Sequence, residues 1–124
     1  MDQENLAAVP IQRHVDERGA LTPLENLPFE IKRVFALTDL NTDLERANHA
    51  VNCDEFIVLL TGSCRLMLCS RAGIMLDTEL GYDVGHYIPA GIWIKLGHFS
   101  PDTTILVLAS KSYEDTRYFS EPQR

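Results

Sequence analysis

Short stretches of apolar and β-branched residues, separated by turn-forming residues, recur along the chain from about residue 30 to residue 110. Some alternate loosely between apolar and polar positions, others are continuously apolar, and none keeps a helical repeat for more than a turn or two. This pattern is typical of a β-sandwich or a β-barrel. The predicted strands cover residues 31–37, 56–60, 65–68, 74–80, 84–88, 92–96 and 103–109.

The residues between these runs indicate how the strands connect. Gly62 lies between the strands predicted over 56–60 and 65–68, and glycine readily adopts the positive φ of a tight connection, so we predict a hairpin there. The strand over 103–109 is largely apolar and β-branched, which indicates a central place in a sheet. Residues 113–119 are predicted as a short strand or an extended arm.

About eight strands in a chain of this length fit an all-β, double-stranded β-helix, that is, a jelly-roll barrel. The 124 residues suit a single domain, which we expect to span residues 1–124. Barrels of this kind commonly hold a ligand in the mouth or the lumen. Inward-facing polar residues are therefore the candidates for chemistry.

The charge of the chain narrows the classes of partner. Eleven Lys and Arg against eighteen Asp and Glu give a formal charge of −7, which argues against a nucleic-acid partner. A phosphorylated small molecule needs only a few local arginines and remains a candidate ligand. The chain has no apolar run that could span a membrane and no secretion signal, so we expect a cytoplasmic protein without a membrane partner. The spacing of the cysteines, Cys53, Cys64 and Cys69, indicates free thiols.

The segment around His49 resembles the first metal-binding motif of a cupin barrel. That motif carries two His separated by one residue, then a Glu and a Gly, and a later motif adds a further His. His49, Glu55 and Gly62 fill the first motif, but Val51 and Ile94 stand where two His ligands belong. Because a catalytic metal usually takes three protein ligands, we predict no metal and no other cofactor. The resemblance to metal cupins therefore concerns the fold.

Without a metal, His49 becomes the candidate acid or base, since imidazole titrates near neutral pH. The alternative is a structural His at a strand edge. Arg33, Arg46 and Arg65 lie in or beside strands predicted to line one barrel, and their forked donors suit a pyrophosphate. Ion pairs with the abundant carboxylates are the alternative for each of them. Glu55 is expected either to orient the His49 ring or to pair with an arginine.

Several motifs in order resemble the sugar-nucleotide 3,4-ketoisomerases over residues 11–120. They are Asp16-x-Arg18-Gly19, Ile31-Lys32-Arg33-Val34, Arg46-x-x-His49-Ala50, Glu55, Gly62-Ser63-Cys64-Arg65, residues 87–93, and Val107-Leu108-Ala109-Ser110 with Tyr113. The resemblance implies a dimeric, metal-free cupin barrel that converts a dTDP-linked 4-keto-6-deoxyhexose into its 3-keto isomer in deoxysugar biosynthesis. It also implies that His49 moves the proton between C3 and C4, and that Arg33, Arg46 and Arg65 hold the nucleotide or its pyrophosphate.

The chain departs from that family's pattern at three places. Val51 replaces a second His, Phe35 replaces a Tyr, and Ile94-Lys95 replaces a His-Glu pair. The reaction also transfers a proton between two oxygens, which requires a partner for His49. The sequence offers Lys95 or a solvent molecule for this role.

Two functions are therefore predicted. The first is an isomerase that moves the keto group between C3 and C4 of a sugar of the dTDP-4-keto-6-deoxyglucose type, with His49 as the catalytic residue. The alternative is a sugar-nucleotide-binding accessory subunit with impaired catalysis. The residues expected to contact the substrate are Arg33, Arg46, Glu55, Arg65 and Lys95. A homodimer is expected because barrels of this type often hide their edge strands in a symmetric dimer.

Overall fold

Twelve β-strands and no helices form residues 8–124, the part of the chain described by this computed structural model. No helix in this range could therefore cross a membrane. The strands are β1 (Ala8–Pro10), β2 (His14–Asp16), β3 (Gly19–Leu21), β4 (Arg33–Leu37), β5 (Arg46–Val51), β6 (Glu55–Thr61), β7 (Arg65–Ser70), β8 (Gly73–Glu79), β9 (Val84–Ile88), β10 (Trp93–Gly97), β11 (Thr104–Ala109) and β12 (Tyr118–Phe119). The predicted all-β class is confirmed.

Ten strands form two antiparallel sheets with five strands each. The first sheet has the order β1-β9-β6-β11-β4, and the second has the order β12-β5-β10-β7-β8. The remaining strands, β2 and β3, form a separate hairpin whose residues are all exposed. Because consecutive strands alternate between the two large sheets along much of the chain, the architecture is the double-stranded β-helix predicted from the sequence.

The main core lies between the two large sheets. Ile57 and Ile105 of the first sheet pack there with Leu66, Leu68 and Leu96 of the second. A second cluster covers the opposite face of the first sheet, where the segment around residues 24–29 packs on Phe56, Val58 and Leu108. Strands β6 and β11 are therefore buried on both faces, which explains their continuous apolar sequences.

The predicted hairpin around Gly62 is wrong. Strand β6 pairs with β9 and β11 in the first sheet, whereas β7 pairs with β8 and β10 in the second. The connection through Gly62 crosses between the sheets, and glycine is needed there because φ is 81° and a Cβ atom would lie 2.4 Å from Thr103 Oγ1. The prediction fails because a glycine turn has the same local sequence in a hairpin within one sheet as in a connection that crosses between two sheets.

The strands predicted from the sequence do not include β1, β2, β3 and β5. The first three have three residues each, and the hairpin of β2 and β3 has no buried face to produce alternation. Strand β5 is interrupted by an irregular pair of residues described below. The expected domain starts at residue 1, and residues 1–7 lie outside the described residues.

Candidate active site

A cavity of about 240 Å³ opens between the two large sheets, at the end where β4, β5, β6 and β12 meet. Its polar wall is formed by Arg33, Arg46, His49, Glu55 and Tyr118. Its apolar wall is formed by Phe35, Leu37, Ala47, Ile57, Ile94, Leu96 and Val107. Four of the six residues predicted to form the site therefore lie together in one cavity.

A β-bulge in β5 directs two of these side chains. His49 pairs with Ile94 and Ala47 pairs with Lys95, so Asn48 is an extra, unpaired residue. Both bulge residues have positive φ, 67° at Ala47 and 56° at Asn48. In a regular strand, residues three apart point to opposite faces. The bulge instead brings both Arg46 and His49 to the cavity wall.

The His49 ring is half-buried against an aromatic neighbour. Its centroid lies 5.1 Å from that of Tyr118, and the two ring planes meet at 71° in an edge-to-face arrangement. Burial lowers the pKa of His49 below its ordinary value, and the positive charge of Arg46 lowers the pKa further. The imidazole is therefore neutral at physiological pH, which is the form that can accept a proton.

Glu55 is the one carboxylic acid among the described residues that line the cavity, and it is buried, with 5% of its surface exposed. Burial raises the pKa of this carboxyl to about 7, although the nearby positive charge of Arg33 lowers it. Within residues 8–124, the Glu55 carboxyl has no ion-pair partner within 4.0 Å, and no hydrogen bond contributes to the shift of its pKa. The side chain is thus available to a molecule bound in the cavity.

Arg33 provides a positive charge inside the cavity. Its guanidinium carbon lies 5.1 Å from the Phe35 ring centroid and 5.9 Å from the Tyr113 ring centroid. Its Nε atom is buried and has no hydrogen-bond partner within the described part of the chain. A cation held by aromatic rings with an unused donor is suited to an anionic ligand.

Arg65 and Lys95 lie on the outer face of the second sheet, which corrects the expectation that they line the barrel. Arg65 Nε donates a hydrogen bond to Asp77 Oδ1 at 2.7 Å, and Lys95 Nζ lies 3.3 Å from Glu45 Oε2. The reason is strand alternation, since their neighbours Leu66, Ile94 and Leu96 fill the core. Lys95 is therefore not placed to exchange protons in this cavity.

The cupin ligand positions do not suit a metal ion in this chain. Val51 is buried in an apolar cluster with Cys53 and Ala109, and Ile94 contributes an apolar side chain to the cavity wall. Among residues 8–124, no group of three His, Cys, Asp or Glu side chains could hold a metal. His49 and Glu55 alone are fewer ligands than a catalytic site usually has. That the protein works without a metal stays a prediction, which elemental analysis tests.

Tyr118 is a polar residue of the cavity wall that the sequence does not identify as a site residue. It belongs to the segment predicted only as a short strand or an arm. Its pairing with Val51 at the edge of the second sheet brings it beside His49. No local sequence signal encodes this contact, because residues 49 and 118 are far apart along the chain.

These features define a double-stranded β-helix barrel whose cavity combines a neutral histidine, a carboxyl group with a raised pKa and two arginines. A family model described as FdtA, WxcM-like, C-terminal, matches residues 4–124, and the chain belongs to this family. It is 33% identical over 117 residues to the TDP-4-oxo-6-deoxy-α-D-glucose-3,4-oxoisomerase of Aneurinibacillus thermoaerophilus, a match that covers 91% of the chain and 84% of the relative.

Solved structures agree with this assignment. A double mutant of the QdtA 3,4-ketoisomerase from Thermoanaerobacterium thermosaccharolyticum, in complex with TDP, has a TM-score of 0.83 at 31% identity, with 93% of this chain and 86% of that chain covered. The WlaRB TDP-quinovose 3,4-ketoisomerase from Campylobacter jejuni has a TM-score of 0.82 at 32% identity, with 92% and 91% covered. The family and the fold predicted from the sequence are confirmed, and the predicted function agrees with the activity for which these relatives are named.

Proposed function

We propose that this protein is a 3,4-ketoisomerase of a TDP-linked 4-keto-6-deoxyhexose. The proposal is supported by relatives with that activity in their names, and by a histidine-to-asparagine mutant of QdtA in complex with TDP-4-keto-6-deoxyglucose. The observation in this chain that carries the proposal is the placement of a neutral His49 beside Arg33 and Arg46 in one cavity. Such a set can bind an anionic sugar and remove a proton next to its carbonyl.

The cavity is suited to the sugar end of such a ligand. Its volume of about 240 Å³ is smaller than the roughly 300–1,000 Å³ typical of pockets that enclose a whole drug-sized molecule. The reacting ring would occupy the cavity while the nucleotide lies across its mouth. Arg46 is exposed at that mouth and Arg33 lies deeper, so both can meet the pyrophosphate or the oxygens next to it.

His49 would act as the base for the carbon-bound proton. The proton on C3 is acidified by the neighbouring C4 carbonyl, and the neutral imidazole accepts it to leave an enediolate. The imidazolium then returns the proton to C4, and transfer of the O3 hydroxyl proton to O4 completes the isomerisation. The positive charges of Arg33 and Arg46 favour the developing negative charge on oxygen.

A time course in deuterated water tests this proposal. Unmodified protein supplied with TDP-4-keto-6-deoxyglucose should form the 3-keto isomer and place deuterium at C4, as followed by NMR. His49→Asn should lower the rate by about 10²–10⁴-fold, because an amide cannot accept the proton. It should leave TDP affinity, measured by calorimetry, nearly unchanged. Equal rates for the two proteins would remove His49 from the mechanism.

The accessory-subunit function remains the second candidate because Val51, at the position of the family's second His, is buried in an apolar cluster. That function predicts tight binding of TDP and the nucleotide sugar without product or deuterium incorporation. The same time course therefore separates the two candidates.

A homodimer and a cytoplasmic location also belong to this proposal. The edge strand β4 exposes 54% of Val34, a feature that pairing with a second copy would cover. The three cysteines are free thiols, two of them buried, which fits a reducing compartment. Analytical ultracentrifugation should give twice the 14.0 kDa chain mass, and a monomer would contradict the dimer.

A further inference from the structure

The ketoisomerase reaction moves two protons, and His49 accounts for one of them. One proton passes from C3 to C4, and a second must pass from the C3 hydroxyl to the C4 oxygen. Strand alternation places Lys95 on the outer face of the sheet, in an ion pair with Glu45. The cavity wall therefore has to supply the second group from its other residues.

We propose that Glu55 performs the oxygen-to-oxygen proton transfer. This inference rests on the proposed ketoisomerase function and assigns a second catalytic residue to it. Glu55 protonates O4 as His49 takes the proton from C3, and it then accepts the proton from the O3 hydroxyl as His49 delivers a proton to C4.

The position of Glu55 supports this role. In the first sheet Glu55 pairs with Ala109, and Ala109 pairs with Arg33, so the three residues lie side by side on neighbouring strands. Ala109 is fully buried and small, which leaves room above it between the two longer side chains. The Glu55 carboxyl lies in the cavity wall, no ion pair within 4.0 Å engages it in the described part of the protein, and no hydrogen bond contributes to the shift of its pKa.

The surroundings of Glu55 contain few groups that could take its proton. The ionisable groups around it are Arg33 of β4, Arg46 and His49 of β5, Tyr118 of β12 and the buried thiol of Cys53. The neighbouring residues of β9, β10 and β11 are Ile88, Ile94 and Ala109, which carry no ionisable group. Asp54 is occupied elsewhere, since its Oδ1 accepts a hydrogen bond from the Ala90 amide at 2.9 Å.

Burial shifts the two proton-transfer groups in complementary directions. It raises the pKa of Glu55 and lowers the pKa of His49. A protonated acid and a neutral base can therefore coexist in the cavity near neutral pH. Two titratable groups with oppositely shifted pKa values are the usual arrangement for an acid and base pair.

The proton and electron balance closes within the two residues and the substrate. Neutral His49 removes the C3 proton, and the carboxylic acid of Glu55 protonates O4 to give a neutral enediol. The Glu55 carboxylate then takes the O3 proton while the His49 imidazolium protonates C4. C3 is oxidised from alcohol to ketone, C4 is reduced from ketone to alcohol, and both residues return to their starting states.

Tyr118 is the competing group because it also lines the cavity and carries a hydroxyl. A carboxyl is better suited to the task, since it both releases and accepts a proton readily near neutral pH. Tyr118 is also half exposed, and its ring packs against His49. Its contact indicates a part in holding the imidazole in place.

The test compares Glu55→Gln with Glu79→Gln, a matched control on the outer face where Glu79 pairs with Arg65. Isomerisation of TDP-4-keto-6-deoxyglucose and deuterium at C3 of recovered substrate are both followed by NMR in deuterated water. Glu55→Gln should slow product formation by about 100-fold or more while C3 exchange falls less, so the ratio of exchange to product rises at least about tenfold. Its TDP Kd should stay within about threefold, and Glu79→Gln should match the unmodified protein.

The pH profile provides a second readout, whose first part needs only the unmodified protein. In the unmodified protein kcat/KM should fall as the pH rises through about 7, where Glu55 loses its proton, and this fall should be absent in Glu55→Gln. Unchanged turnover in Glu55→Gln would overturn the role of Glu55 but not the proposed function. The same holds if the ratio of C3 exchange to product rises in a Tyr118→Phe variant and not in Glu55→Gln. Absence of turnover in the unmodified protein would overturn the proposed function as well.

Discussion

Burial, more than pairing, determines the charges of the acid and the base in the cavity. Glu55 faces the same cavity as Arg33, yet the two form no ion pair within 4.0 Å. The cost of desolvating the carboxylate therefore exceeds the attraction of the guanidinium, and the pKa of Glu55 rises to about 7. The sequence identified Glu55 by its place in a motif but gave no sign of its protonation.

This pKa shift predicts a dependence of stability on pH. The pKa of Glu55 rises from 4.5 to about 7 on folding. The contribution of the protonated carboxyl to the free energy of unfolding is therefore fully present below pH 4.5 and is lost as the pH rises through 7. Glu55→Gln should remove this loss. Urea denaturation of both proteins at pH 5 and pH 8.5 gives the difference in free energy of unfolding between Glu55→Gln and the unmodified protein. This difference should shift in favour of Glu55→Gln by up to about 3 kcal/mol between pH 5 and pH 8.5. Glu79→Gln is the control, and the same pH dependence in both variants would contradict the buried, protonated carboxyl.

The arginines differ according to the face of the sheet on which each one lies. Replacing Arg33 or Arg46 with Ala should weaken TDP binding by about 1.5–3 kcal/mol in calorimetry, because each removes a charge-assisted contact. Arg65→Ala should leave TDP affinity unchanged, because the Arg65 side chain pairs with Asp77 and Glu79 outside the cavity. Equal losses of TDP affinity in Arg65→Ala and Arg46→Ala would contradict binding of the nucleotide at the cavity, because Arg65 lies on the outer face of the second sheet.

At the scale of the element, the bulge in β5 determines which residues of the motif reach the cavity. The sequence shows Arg46 and His49 three positions apart, and alternation alone places them on opposite faces. Only the extra residue Asn48 brings both inward. Bulge positions depend on the pairing partner, here β10, so the sequence of β5 alone cannot reveal them.

Substitutions at Asn48 test the bulge. Asn48 has a φ of 56°, a conformation that asparagine tolerates and alanine adopts at a cost of about 1–2 kcal/mol. Asn48→Ala should therefore lower the free energy of unfolding by about 1 kcal/mol in urea denaturation. Asn48→Gly is the matched control, since glycine adopts positive φ freely, and it should be at least as stable as the alanine variant. A more stable alanine variant would contradict the bulge geometry.

At the scale of the whole molecule, the strands are far more predictable than the contacts between them. Strand β9 was predicted with its observed bounds because Val84–Ile88 is a compact β-type run between turns. The connection at Gly62 was assigned to the wrong topology because local sequence does not distinguish a hairpin from a crossing between sheets. The neighbour of His49, Tyr118, was missed for the same reason, since its position depends on a pairing between distant parts of the chain.

The central claim is that the cavity between the two sheets is the active site of a nucleotide-sugar ketoisomerase. The most direct test is a crystal structure of the His49→Asn variant with TDP-4-keto-6-deoxyglucose. The account predicts the hexose ring inside the cavity, with C3 facing residue 49, O3 and O4 facing Glu55, and the pyrophosphate near Arg46. A sugar ring bound outside this cavity, for example beside Arg65 and Lys95 on the outer face, would contradict it.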